Sequence, residues 1–171
     1  VLTAELMLQE NRLKDAETLL LKALGKQADL PDATYKLGII ALRRGDYEQA
    51  SKLLRKEVTQ NPKHAFAWHS LGEALSGLDK QTEAVTALKR AIWLNKRLSG
   101  SYTLLAKIYF NQQQLELAED TIRKAIQINP RSYEAHFLQS RIYYKTGHVE
   151  QAKKQLAIAE GIRQSMEPSE H

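Results

Sequence analysis

Alanine recurs in this chain at Ala16, Ala50, Ala84, Ala118 and Ala152, and every interval is the same. A domain built once has no reason to keep such a period, whereas a stack of identical structural units does. In register with those alanines, complete copies occupy 31–64, 65–98, 99–132 and 133–166, and a partial copy occupies 1–30. Residues 1–166 are therefore expected to form a single array, and 167–171 a disordered tail together with the preceding Ser165.

Other positions keep the same period. A small residue stands eight places into each copy at Gly38, Gly72, Ala106 and Ser140, with Ala4 in the partial copy. Four places after each marker alanine comes Leu20, Leu54, Leu88, Ile122 or Leu156. Thr34, Leu37, Gly38 and Ala41 recur at helical spacing and predict one apolar or small face. Gly45-Asp46 interrupts that pattern, with Asp46 a candidate N-cap and Gln49 three places on. A second helical run follows and ends at Asn61-Pro62, because proline disfavours helical geometry in the residue before it. Each copy thus predicts two antiparallel helices that approach closely where side chains are small, with Gly72 facing Ala84. One hairpin cannot bury its apolar face alone, so neighbouring copies must stack.

These residues resemble the tetratricopeptide repeat, whose signature is W-x2-L-G-x2-Y…A-x3-F…P on a 34-residue period. The marker alanines keep that same period. Trp68, Leu71, Gly72, Leu75, Ala84 and Leu88 carry the signature in the third copy, and Tyr102, Leu105, Ala106, Tyr109, Ala118, Ile122 and Pro130 in the fourth. The resemblance implies an all-α fold, a right-handed α-solenoid of stacked antiparallel hairpins. Departures stand at Glu57, where other copies have alanine, at Lys96, where proline is usual, and at Gln139, where leucine recurs. Glu57 and Gln139 admit a functional reading, but the preferred expectation is that they lean toward solvent at loosened joints.

Chemical signatures are missing. The chain has no G-x-S-x-G, P-loop, G-x-G-x-x-G or H-E-x-x-H motif, and its glycines fall at repeat positions. His64 and His69 are five apart and off a shared helical face, and no histidine pair has the i, i+4 spacing that suits a metal on one helix. No catalytic residue, cofactor or metal site is expected, and the chain is not expected to be an enzyme. Cysteine is absent. No run of about 18 apolar residues predicts a membrane-spanning helix. Lys and Arg total 25 against 20 Asp and Glu, a net charge of +5. The cations are interleaved with acids, which argues against nucleic acid and mildly favours acidic protein partners. Cytoplasm and periplasm are both compatible.

The resemblance implies that the first helix of each copy lines a concave surface. A second stripe on these helices cannot face the core together with the first. It comprises Tyr35, Lys36, Ile39 and Arg43, then His69 and Glu73, then Thr103, Lys107, Phe110 and Asn111, then Phe137, Arg141 and Tyr144. Lys36, Arg43, Lys107 and Arg141 are expected to be exposed, whereas Phe110 and Tyr144 fit a groove and a space-filling role equally. The lysine–asparagine–arginine clamp for chaperone tails is absent, with Tyr35, Ile39, Ser70, Gly100 and Leu104 at its positions. So is the asparagine ladder of sugar transferases.

The stripe suits a partner's peptide or helix bearing acidic and apolar side chains, since arginine binds carboxylates strongly and aromatics supply anchor area. The expected function is a protein-binding scaffold. Two alternatives remain open at this level. One is an accessory, substrate-recruiting region of a larger, bacterial-type enzyme or assembly complex, since Val1 stands inside a helix and reads as the edge of an excised piece. The other is self-association through an apolar face at Val1, Leu2 and Met7. The far end, with Lys153, Lys154, Gln155, Glu160 and Arg163, is polar enough to close an array.

Overall fold

In a computed structural model, residues 2–27, 30 and 32–166 are described, and all regular structure among them is helical. The order is α1 (Leu2–Gln9), α2 (Leu13–Lys26), α3 (Ala33–Arg43), α4 (Tyr47–Gln60), α5 (Ala65–Gly77), α6 (Gln81–Leu94), α7 (Ser99–Asn111), α8 (Leu115–Ile128), α9 (Tyr133–Lys145) and α10 (Val149–Met166). The tail expected at 167–171 lies outside the described residues. Ser165 does not belong to it: it is helical, and its hydroxyl donates to the Ile162 carbonyl at 2.7 Å.

The helices form two compact units, 1–94 and 95–171. In the first, the hairpins are α1–α2, α3–α4 and α5–α6. Each second helix packs on the next first helix, and α3 also touches α5. In the second, the hairpins are α7–α8 and α9–α10, with α8 and α7 both against α9. Every helix thus covers the apolar stripe of a hairpin partner, and inner helices also cover a neighbouring hairpin.

All five marker alanines are fully buried, as are Leu20, Leu54, Leu88 and Ile122. The reason is steric. A Cβ built on Gly38 would sit 2.8 Å from Leu54 Cγ, and one on Gly72 would sit 2.7 Å from Leu88 Cγ and 3.4 Å from the Ala84 carbonyl oxygen. The glycine therefore receives the leucine side chain of the facing helix, and the alanine a turn earlier lets the backbones close.

The turn inside each hairpin repeats as strictly. Asn11, Gly45, Asp79, Gln113 and Gly147 all have positive φ, between 58° and 81°, and they keep the period of the marker alanines. The following amide closes the turn on a carbonyl further back in the first helix, as in Asp46 N to Ala41 O at 3.0 Å and His148 N to Tyr143 O at 2.9 Å. This is the left-handed helix stop that glycine suits best. Asp46 then caps α4, its carboxylate accepting from Gln49 N at 3.0 Å. Ser132 caps α9 in the same manner.

The signature tryptophan also has a local task. Trp68 Nε1–H donates to the Pro62 carbonyl at 3.0 Å. Two copies later His136 stands at that position, and its Nε2 meets the Pro130 carbonyl at 2.9 Å. Its Nδ1 lies 2.6 Å from Gln155 Oε1, which ties α9 to α10.

The two departures from the repeat are placed differently from the expectation. Glu57 is 2% exposed and Gln139 5%. Gln139 is as buried as Leu71 and Leu105 at its register position. Helix register carries the side chain inward whatever its polarity, and the joints are not loosened.

Two substitutions test this frame. Gly72→Ala drives a methyl into Leu88 and should destabilise the chain by about 1–3 kcal/mol. Gln113→Gly removes a left-handed non-glycine residue and should stabilise it by up to about 1 kcal/mol. Urea unfolding of both variants checks the opposite signs.

Candidate functional site

The stripe residues of α3 and α5 sit in the first unit. Tyr35 is half-buried, its ring 4.6 Å from that of His64. Burial raises its hydroxyl pKa above the tyrosine range, a hydrogen bond with Ser70 opposes this, and the charges of Asp32, Glu73 and Glu57 add to it. Ile39 and His69 are half-buried and Glu73 is exposed.

Of the two cations of α3, Lys36 is covered, against the expectation, whereas Arg43 is exposed but already engaged within the fold. The Lys36 side chain is only 12% exposed, with Nζ 3.6 Å from Glu5 of α1. The Arg43 guanidinium donates to the Leu8 carbonyl at 2.6 Å. Both fasten α1 to α3, because α1 offers a carboxylate and, at its C-terminal end, a carbonyl with room for a second donor. Arg44 does the same for α2 through Glu17, at 2.7 Å.

The remaining stripe residues belong to α7 and α9 of the second unit. Thr103 turns its hydroxyl back to the Ser99 carbonyl at 3.2 Å. Lys107 and Asn111 are exposed. Phe137 is 38% exposed and stacks on Tyr133, with ring centres 5.7 Å apart and planes 14° from parallel.

Phe110 is 6% exposed, so it fills space between hairpins rather than presenting its edge. Its ring nevertheless carries the Arg141 guanidinium at 4.8 Å. Phe110, Arg141, Tyr144 and Lys145 line an open cavity of about 280 Å³. Tyr144 is 49% exposed. No carboxylate among the described residues pairs with Arg141 or Lys145. Three of the expected site residues therefore converge with one, Lys145, that sequence reasoning missed. Its signal was its place in the last turn of α9, directly beyond Tyr144.

A second constellation went unread in the sequence. Glu57 Oε1 accepts from Asn61 Nδ2 at 2.9 Å and lies 3.1 Å from His64 Nδ1. One ligand atom each of Asp32, Glu57 and His64 falls within 4.8 Å of the others. Beside them opens a cavity of about 480 Å³ lined by Asp32, Gln60, Asn61, Pro62, Lys63 and His64.

The apolar end expected at Val1, Leu2 and Met7 is described only at Met7. Val1 and the Leu2 side chain lie outside the described residues, and Met7 packs against the core of Ala4, Leu8 and Ala16. Among the described residues, Leu6 and Leu21 are the exposed large apolar groups of α1 and α2, at 56% and 55%.

Comparisons with known proteins agree with this architecture. The family model for subunit 3 of the anaphase-promoting complex, or cyclosome, matches residues 9–91, and a tetratricopeptide repeat model matches 99–132. Human tetratricopeptide repeat protein 7A is 29% identical over 117 residues, which is 68% of this chain. The chain spans only 14% of that protein's length. Among solved structures, MamA superposes with a TM-score of 0.81 at 24% identity, over 95% of either chain. TTC0263, a tetratricopeptide protein of Thermus thermophilus, gives 0.77 at 21% identity over 92% of this chain and 86% of its own. YrrB, described as a tetratricopeptide protein with an unusual peptide-binding site, gives 0.72 at 21% identity over 95% and 84%. These structural likenesses establish the fold, an all-α helical-repeat solenoid.

The stripe on α5 yields a pH prediction. Burial lowers the His69 pKa below the ordinary imidazole value, and Glu73 only partly offsets this. The unfolded chain therefore takes up the proton first, and the folded state loses stability as pH falls below about 6.5. His69→Gln should reduce the loss of stability between about pH 7.5 and pH 5, as read by urea midpoints at each pH. An unchanged loss would remove His69 as its source.

Proposed function

Because this chain is a tetratricopeptide repeat protein, we propose that it works as a non-enzymatic scaffold that holds a segment of a protein partner at the α7–α9 site. The observation that carries this reading is the exposed Arg141 guanidinium held over the buried Phe110 ring, with Tyr144 and Lys145 around the same cavity. A guanidinium held by a ring face keeps its in-plane N–H donors for a carboxylate. Lys145 adds a second positive charge, and the exposed Tyr144 ring offers a rigid apolar wall. The partner segment that fits is a short extended or helical stretch with an acidic residue beside an apolar one. Holding Arg141 in place beforehand lowers the entropic cost of binding.

The first unit contributes less to such a site. Lys36 and Arg43 already serve α1, so their charges act within the fold. A second reading, that the array is one region of a larger polypeptide, draws support from the long human relative in which the matched stretch is a small part. The two are compatible, since a recruiting region also binds a segment of something else.

Display of a random peptide library on the purified chain tests the proposal. Selected peptides should be enriched in Asp or Glu next to apolar residues. Arg141→Glu together with Tyr144→Ala should weaken them about 30-fold or more, the effect of losing a binding hot spot. Raising the salt concentration should weaken the wild type but hardly the double variant. Peptides without acidic enrichment, or equal binding by the double variant, would overturn the α7–α9 assignment.

A further inference from the structure

The joint between the second and third copies holds residues that the repeat does not call for. Other copies carry alanine at the position of Glu57, namely Ala23, Ala91, Ala125 and Ala159. A carboxylate in that slot is almost wholly desolvated, and a buried charge is costly unless it is paired. The residue that meets it, His64, is equally local: the corresponding positions hold Leu98 and Ser132. Asn61 has changed its bond as well. In later copies the same asparagine accepts from the backbone just beyond it, Asn95 from Arg97 N at 3.0 Å and Asn129 from Arg131 N at 3.2 Å. Here its amide donates to Glu57 instead. Three departures therefore meet at one place, with Asp32 at the start of α3 reaching the same point.

We propose that Asp32, Glu57 and His64 form a binding site for a divalent first-row transition ion of the zinc type. The donor set is one imidazole nitrogen and two carboxylates, which suits such ions better than the all-oxygen shells of magnesium or calcium. Zinc bonds of about 2.0–2.2 Å place tetrahedral ligand atoms about 3.3–3.5 Å apart. His64 Nδ1 and Glu57 Oε1 stand 3.1 Å apart, close to that edge length. Asp32 lies within 4.8 Å and is exposed, so a small rotation of its carboxylate closes the triangle. Asn61 steadies the Glu57 carboxylate, and the Tyr35 ring lies against the His64 ring. Oriented ligands of this kind are what metal sites require around them. The adjoining cavity lets an ion enter and leaves room for a water ligand. A bound ion would join the start of α3 to the end of α4 and the start of α5.

The purified chain, stripped by chelator, is titrated with Zn²⁺ by calorimetry and with Co²⁺ by visible absorption. The expected result is one saturable site, a ligand-field band for Co²⁺ and a raised melting temperature with Zn²⁺. Glu57→Ala installs the residue that other copies carry, so folding should survive, as far-ultraviolet circular dichroism will report. It should cost at least about 100-fold in affinity, with Asn61→Ala costing about 10–100-fold. Asp32→Asn, at an exposed position, supplies a second variant should Glu57→Ala fail to fold. Changing His148 and His171 to Gln should leave the site intact. No saturable binding, or binding that both ligand variants retain, would reduce Glu57 and His64 to a buried hydrogen-bonded pair and overturn the proposal.

Discussion

Everything in these two units depends on how closely paired helices approach. Leu54 and Leu88 fill the space that a Cβ on Gly38 or Gly72 would need. That contact fixes the distance between helix axes, and the distance fixes which residues face inward along both helices. It also explains why the constraint surfaces in so many forms at one period. Buried alanines, left-handed turn residues and turn-closing amide bonds all recur at the interval of the repeat, because each meets the same local geometry once per hairpin. A contact remade in every hairpin leaves a trace in the sequence that a contact made once does not.

That difference decides what could be read beforehand. The all-α hairpin architecture, the Asp46 cap and the small residues at the crossing were legible because they follow from register alone. The fates of Lys36 and Arg43 were not. At their register positions a cation reads as exposed, which holds for Arg43 and not for Lys36, and nothing there announces that Glu5 and the Leu8 carbonyl lie within reach. Those partners belong to the partial first copy, far from α3 in sequence, and the repeat does not prescribe the pairing. Glu57 misled for the converse reason. Polarity suggested solvent, but helix register carries position 57 inward, and Asn61 and His64 supply what a carboxylate needs there. Register predicts burial better than polarity does when the helix is held on both sides.

The cavity between α7 and α9 lies between these cases. Register placed Phe110, Arg141 and Tyr144 on first helices, and the structure brings them to one cavity. What register could not say was how the aromatics divide the work. Phe110 is covered and Tyr144 is not, although both occupy the stripe. A covered ring beneath an exposed guanidinium is a different device from two exposed rings. The first holds a charge in place, and a cation over a ring is worth about 0.5–1 kcal/mol where water reaches it.

A repeat array separates frame from function in a way that a single domain does not. The frame is maintained by residues that copies share, so a residue that departs from its counterparts either stands free of that duty or works against it. Tyr144 and Lys145 are exposed, and nothing in the packing asks for them. Glu57 is the opposite case, since alanine would satisfy the packing and the carboxylate adds both bulk and a desolvation penalty. A surface departure costs little and so carries little weight by itself, whereas a buried one that recruits Asn61, His64 and Tyr35 around it has a cost that some favourable interaction must offset. Asn61 and His64 provide hydrogen bonds to one carboxylate oxygen, but Asp32 brings a second negative group to the same point. A divalent cation at that point would offset both the repulsion between the two carboxylates and the desolvation of Glu57.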